Sequence, residues 1–299
     1  MTFKTNLPAA GCAALGGFGL LQLEGPDSER FLQAQSMNDV AALKVGHWQW
    51  NGLLTARGRV VALFALLREA DDRFLLVLPD HPVDELLPVL QRFVFRSKVK
   101  LRADGDRVAA AGPVGDPLPP REFAASPDDG LHLDLGSGAG RRTLRILASG
   151  HPALAPGREE IDRAWTAADL AHGFPRLPAS QRDAWTPQML SLERFAAFSL
   201  AKGCYPGQEI VARTHYLGAA KRGLARLSAA GPLTPGQPVL DAAGRSRGTV
   251  VCTAETTEGC EALAVVAIEA MGHPLRTESA PLASLPLLPV YDPDSRTPG

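Results

Sequence analysis

The chain has 299 residues, 45% hydrophobic and 21% charged, with Lys+Arg 31 against Asp+Glu 32. That length exceeds what one small core holds and suits about two or three domains. The charge balance leaves no net field to draw the protein onto DNA or an acidic membrane, and no apolar run reaches bilayer length. No stable DNA binding and no membrane association are therefore expected. The start holds one lysine and an apolar stretch broken by Pro8 and several glycines, so it reads as mature protein rather than a signal peptide.

In chain order, "FGLLQLEG" (18–25) alternates and predicts a strand, and "PDSERFLQAQ" (26–35) opens like a first helical turn. Asn38-Asp39 follows, readable as a cap or as two acceptors entering a pocket. "HWQWNGLLT" and "RVVALFALLREA" predict paired strands joined by "ARG", and "DRFLLVLP" (72–79) a third. "HPVDELLPVLQRFVF" (81–95) has a helical period. "SKVKLRAD" (97–104) and "DRVAAAGPV" (106–114) are strand-like. The Pro/Gly/Asp-rich 112–130 reads as an exposed connector. "LHLDLGSGAGRRTLRIL" (131–147) predicts two strands around a turn. Its "GSGAG" reads as a hairpin turn rather than a dinucleotide loop, because a charged strand rather than a helix follows. "EEIDRAWTAADLAHG" (159–173) predicts a helix stopped by Gly173, and 187–201 a short helical or turn segment. After Arg222, short apolar stretches between Gly and Pro turns predict a small antiparallel barrel or sandwich. The tail "DPDSRTPG" is expected to be loose.

The four cysteines are Cys12, Cys204, Cys252 and Cys260. They form no C-x-x-C pair and no His/Cys cluster of zinc spacing, so no metal or iron–sulfur cluster is expected on this chain alone. A reducing, cytoplasmic setting is the simplest reading. Cys252 and Cys260 lie in strand-like text and read as small buried hydrophobes.

Cys204 differs. It stands in "KGCYPGQE" (202–209), and Tyr205-Pro206-Gly207-Gln208 fits a type II turn with Gly supplying positive φ. Gly203 frees the backbone on the other side, and the turn would hold the thiol at its lip. "QEIVART" is expected to run on as a strand. Lys202 and Arg213 are candidate cations for favouring the thiolate, and Tyr205 offers a ring and a hydroxyl to a flat heterocycle. The spacing equally allows a turn whose glycines are geometric and whose cysteine is incidental.

"KGCYPGQEIVARTHYLGAAKRGL" (202–224) resembles the signature of the YgfZ-type folate-binding proteins, relatives of the glycine cleavage T-protein. Lys202, Gly203, Cys204, Tyr205, Gly207, Gln208, Glu209, Arg213, Lys221 and Arg222 match its pattern. "LEGPDSERFLQAQSMNDV" (23–40), "ARGRV" (56–60), "AHGFP" (171–175) and "TPQML" (186–190) resemble the family in the same order. The resemblance implies an α+β, three-domain GcvT-like ring: two α+β domains with mixed or antiparallel sheets, then a C-terminal β-barrel. The boundaries expected are 1–48 with 131–218, then 49–130, then 219–290. It implies tetrahydrofolate as ligand, with Asn38, Asp39, Tyr205 and Gln208 as candidate contacts. It implies an accessory role in iron–sulfur cluster assembly or repair with client or assembly proteins as partners, and an indirect link to tRNA modification. Cys204 with Lys202 would be the working centre. Two departures stand out. Where T-proteins carry an acidic pair this chain has Ala62-Leu63, which can neither take a proton nor position an amine. Ala171 stands where relatives often have a basic residue. The alternatives are a folate-dependent one-carbon transferase, or a module that binds tRNA or a client through Lys221, Arg222 and Arg226.

Overall fold

The computed structural model describes residues 11–290 except 116, 120, 136–140 and 219, and at 217 the backbone only. The "GSGAG" turn and the final tail lie outside the described residues.

The first half builds two sheets. β1 (Cys12–Ala14) and β2 (Gly19–Glu24) lead into α1 (Ser28–Gln35). The hairpin β3 (Trp48–Leu54) and β4 (Val60–Ala70) follows, then β5 (Arg73–Leu78), α2 (Val83–Gln91) and β6 (Lys100–Ala103). These strands, β1 apart, form a five-stranded antiparallel sheet in the order β3-β4-β5-β2-β6. The chain then adds β7 (Arg107–Gly112), β8 (Phe123–Ser126), β9 (Gly130–Leu135), β10 (Arg142–Ala148) and β11 (Leu154–Ala155). With β1 they make a six-stranded sheet ordered β11-β1-β7-β10-β9-β8. It is mixed, because β1 runs parallel to β11 and antiparallel to β7.

β4 shows why the sheets sit where they do. Its residues are apolar on both faces, the mark of a strand covered on both sides. Ala65 and Leu67 join a core shared with Ala109, Ala111, Leu144 and Ile146 of the six-stranded sheet. Ala62, Phe64 and Leu66 join a second core with Phe31 and Leu32 of α1 and Leu86 and Leu90 of α2.

α3 (Glu159–His172) has acidic residues in its first turn and ends at Gly173, whose φ of 79° makes it the left-handed cap. Its Trp165 is buried in the core between the sheets. An irregular stretch then leads to α4 (Gln208–Leu217). The last six strands are β12 (Arg222–Ala229), β13 (Pro238–Asp241), β14 (Ser246–Thr256), β15 (Gly259–Ala267), β16 (Leu275–Arg276) and β17 (Pro281–Leu285). They close into the barrel β12-β15-β14-β13-β16-β17. A third core joins barrel residues Val251, Cys252 and Val265 to Leu190, Leu192, Tyr205 and Val211 of the irregular stretch and α4.

Three expectations are corrected. Strand pairing divides the chain differently from the boundaries expected. β2, expected with 131–218, pairs with β5 and β6, and β7 and β8, expected with 49–130, pair with β10 and β9. The stretch 112–130 is not all connector, because β8 forms an exposed edge on β9. "QEIVART" is helical rather than extended. Its β-branched text invites a strand, but Val211 has one core to enter, and a helix buries it while leaving Glu209, Ile210 and Arg213 exposed.

Candidate functional site: the cysteine turn

Cys204 is the exposed member of the four cysteines, and Cys12, Cys252 and Cys260 are buried. Its turn is built as its residue types require. Gly207 has φ 79° and ψ 1°, the third-position geometry of a type II turn, and Gln208 N–H donates to the Tyr205 carbonyl at 3.2 Å. Gly207 also begins α4, so one residue both closes the turn and starts the helix. Gly203 faces open space and lacks positive φ, so its geometry does not require glycine.

The neighbours of the thiol brace the turn from three sides. Lys202 is buried, and its ammonium donates to the Ser36 carbonyl at 2.6 Å and the Asn38 carbonyl at 2.8 Å. Burial lowers its pKa to about 8, against the opposing pull of Asp39. Its ammonium lies 5.0 Å from the centroid of the Tyr205 ring, which is itself buried. Tyr205 Oη donates to the Ser199 carbonyl at 3.2 Å, and burial pushes the phenol up to about 12. Gln208 Nε2 donates to the Lys202 carbonyl at 3.2 Å. Glu209 and Arg213 are exposed on α4.

The candidate folate contacts fare unequally. Asn38 Nδ2 donates to the Trp50 and Ala196 carbonyls at 2.8 and 2.7 Å, while its Oδ1 accepts the Asp39 N–H at 2.9 Å. Both amide protons are thus spent internally, which makes Asn38 a strut. Tyr205 is also committed and its ring is not open for stacking, whereas Gln208 spends one amide proton on the Lys202 carbonyl. Asp39 is half-buried; one oxygen accepts from Gln33 Nε2 at 3.0 Å, and the other has no donor among the described residues. Of the four, Asp39 and the Gln208 amide oxygen keep an acceptor for a polar ligand edge.

Sequence reasoning missed the hairpin tip joining β3 to β4. Gly58, at φ 68°, packs against Gly207 and Ile210, so the exposed Arg57 stands beside the cysteine turn. The family resemblance of "ARGRV" was the signal, but nothing in it names its neighbour. Ala62 and Leu63 are buried in β4, and Ala171 is buried in α3. Lys221 and Arg222 are exposed, but Arg226 is not: it is buried against Glu261 at 2.7 Å. That ion pair withdraws Arg226 from any surface contact with phosphate.

Among the described residues, no group of three or more His, Cys, Asp or Glu is placed to hold a metal, and no helix is long and apolar enough to cross a membrane.

No protein-family model matches the chain. Over 233 residues it is 28% identical to the tRNA-modifying protein YgfZ of Colwellia psychrerythraea, covering 73% of this chain and 72% of that one. It is 26% identical over 286 residues to the tRNA-modifying protein YgfZ of Shigella boydii, covering 89% and 87%. Among solved structures, the glycine cleavage system aminomethyltransferase T from Bartonella henselae superposes with a TM-score of 0.74 at 20% identity, covering 95% of this chain and 87% of that one. That likeness establishes the GcvT-like fold. The YgfZ relatives are matched along most of their length, so the chain is similar to YgfZ-type proteins in sequence and GcvT-like in fold.

Proposed function

We propose that the protein is a folate-binding accessory factor for iron–sulfur cluster assembly or repair, supporting tRNA modification indirectly, with Cys204 as its working thiol. The observation that carries this reading is the presentation of Cys204. One thiol of four is exposed, on a turn held by Lys202, Tyr205 and Gln208. A turn so braced can offer a single thiolate to iron, and the remaining ligands would come from a client or assembly protein. Lys202 acts here as a strut rather than as a catalytic group.

Tetrahydrofolate is proposed as ligand on the GcvT-like fold and on Asp39, whose unengaged carboxylate oxygen can accept from the N–H edge of a pterin. One-carbon transfer is disfavoured, because Ala62 and Leu63 are buried and offer no carboxylate.

The deciding experiment is complementation of a deletion strain, read as activity of iron–sulfur enzymes. Cys204→Ala should fold, bind tetrahydrofolate as the parent does in calorimetry, and fail to restore activity. Full complementation by this variant would overturn the cysteine reading. Absence of calorimetric heat with the parent protein would overturn the folate reading. Formation of methylene-tetrahydrofolate from an aminomethyl donor would instead establish a transferase.

A further inference from the structure

The segment from Arg92 to Arg102 concentrates charge in a chain whose formal net charge is −1. It contains Arg92, Arg96, Lys98, Lys100 and Arg102, all exposed, and no Asp or Glu. Two phenylalanines stand out among them: Phe93 is 52% exposed and Phe95 88%. Phe95 has φ 37°, a region bulky side chains rarely occupy, and that backbone follows α2 with the ring turned out to solvent. The Arg96 guanidinium lies 5.3 Å from the centroid of this ring.

The cations form a track rather than a cluster. β6 is the edge strand of the five-stranded sheet. Val99 is buried and Leu101 half-buried in the core under α2, so alternation turns Lys98, Lys100 and Arg102 outward. Three acids border the track: Glu24 is paired in register with Lys100, Asp27 accepts the Lys98 backbone N–H at 2.6 Å and leaves its ammonium unpaired, and Asp106 lies 3.8 Å from Arg102. The Arg102–Asp106 pair is exposed on both sides, at 56% and 89%, and holds weakly. Among the described residues no carboxylate lies within ion-pair distance of the side chains of Arg92, Arg96 or Lys98.

We infer that this surface binds single-stranded RNA, with phosphates along the Lys98–Lys100–Arg102 row and a base stacked at Phe95. Backbone cations leading to an exposed aromatic platform are the elements of sequence-tolerant single-strand binding. A membrane anchor would place its apolar residues at an apex ringed by cations, whereas here the cations run off to one side along an extended edge. The site is separate from the cysteine turn. The β3–β4 hairpin touches that turn at the far side of the sheet, and β3 lies four strands from β6, about 19 Å at ordinary strand spacing. The inference does not depend on the role of Cys204.

The test is fluorescence anisotropy of a labelled oligouridylate with the full chain, titrated over a salt series, beside sedimentation with phosphatidylserine-containing vesicles. The parent should bind the RNA, with affinity falling as salt rises. Lys98→Gln/Lys100→Gln/Arg102→Gln should weaken binding on the order of tenfold or more and flatten the salt slope by about 2, since each lost phosphate contact on a single strand removes about 0.7. Phe95→Ala should weaken binding at least about fivefold with the salt slope kept, as loss of a stacking platform does. Melting curves would confirm that these surface variants fold. The inference is overturned if the parent does not bind the oligouridylate at physiological salt. It is equally overturned if the triple variant binds as the parent does, if Phe95→Ala is without effect, or if the vesicles bind and the RNA does not.

Discussion

Gly58 and Gly207 touch backbone to backbone. A Cβ added at Gly207 would lie 2.6 Å from Gly58 Cα and 2.5 Å from the Thr55 carbonyl oxygen. Both residues have positive φ, 68° and 79°. The β3–β4 hairpin and the cysteine turn therefore meet at a contact that no side chain can enter. Gly207→Ala should cost about 1–3 kcal/mol through strain at a left-handed position. It should also raise the alkylation rate of Cys204, because the turn loses its backing. Urea melts and thiol labelling would check both, and an unchanged melt would show that the hairpin yields freely.

Lys202 joins the turn to the segment after α1. Lys202→Met should destabilise the protein near neutral pH, because the Ser36 and Asn38 carbonyls lose their donor; an unsatisfied buried group costs about 1–3 kcal/mol. The pH dependence has a definite sign. The folded pKa of about 8 lies below the ordinary 10.5, so the unfolded chain holds more protons between these values. The parent should gain stability as pH rises through that window while Lys202→Met does not, so the gap between them should widen. A gap that narrows would mean that the ammonium is better stabilised by its two carbonyls than burial allows.

Native-state labelling should rank the cysteines. Burial raises the pKa of Cys12 and Cys260 and pushes Cys252 up to about 12, whereas Cys204 is exposed. Brief iodoacetamide treatment followed by peptide mass mapping should find Cys204 modified at least about tenfold faster than the others, since thiolate access controls the rate. Comparable labelling of Cys12 or Cys260 would refute this ranking.

Asp80 accepts the Leu177 N–H and faces Arg176 and Arg182, yet burial prevails and raises its pKa to about 6 from 3.8. The folded state then holds more protons between those values. Its contribution to stability is complete below the unfolded pKa and is lost as pH rises through 6. Asp80→Asn keeps an acceptor for Leu177, so at neutral pH it should match or exceed the parent in stability, and the difference should shrink by pH 5. A loss of more than about 2 kcal/mol at neutral pH would show that pairing with the arginines outweighs burial.

Much of this structure was legible in the sequence. The β3–β4 hairpin, α1, α2, α3 and the barrel follow from periodicity and turn residues, which are local. The type II turn at Gly207 was legible for the same reason. Sheet membership was not, because β2 finds β5 and β6 while β1 finds β7 and β11, and nothing in either strand names its distant partner. The same limit hid Arg57, whose place beside the cysteine turn depends on a contact across 149 positions of chain, from Gly58 to Gly207. Asn38, Tyr205 and Gln208 read as candidate folate contacts because their side chains are polar. Their carbonyl partners, on Trp50, Ala196, Ser199 and Lys202, carry no residue-type signal. Backbone acceptors are supplied by every residue, so a sequence does not reveal which polar side chains are already spent.

The pairing of β1 with β11, Cys12 opposite Leu154, bears on synthesis. Every strand of the five-stranded sheet has left the ribosome once residue 103 is clear, so that sheet can assemble while translation continues. β1 was made earlier than any of these strands, yet it must wait for β7 and, last, β11 to arrive. During that interval its backbone groups have no strand partner. Its brevity, three residues, limits the exposed edge that the nascent chain carries until the six-stranded sheet closes around it.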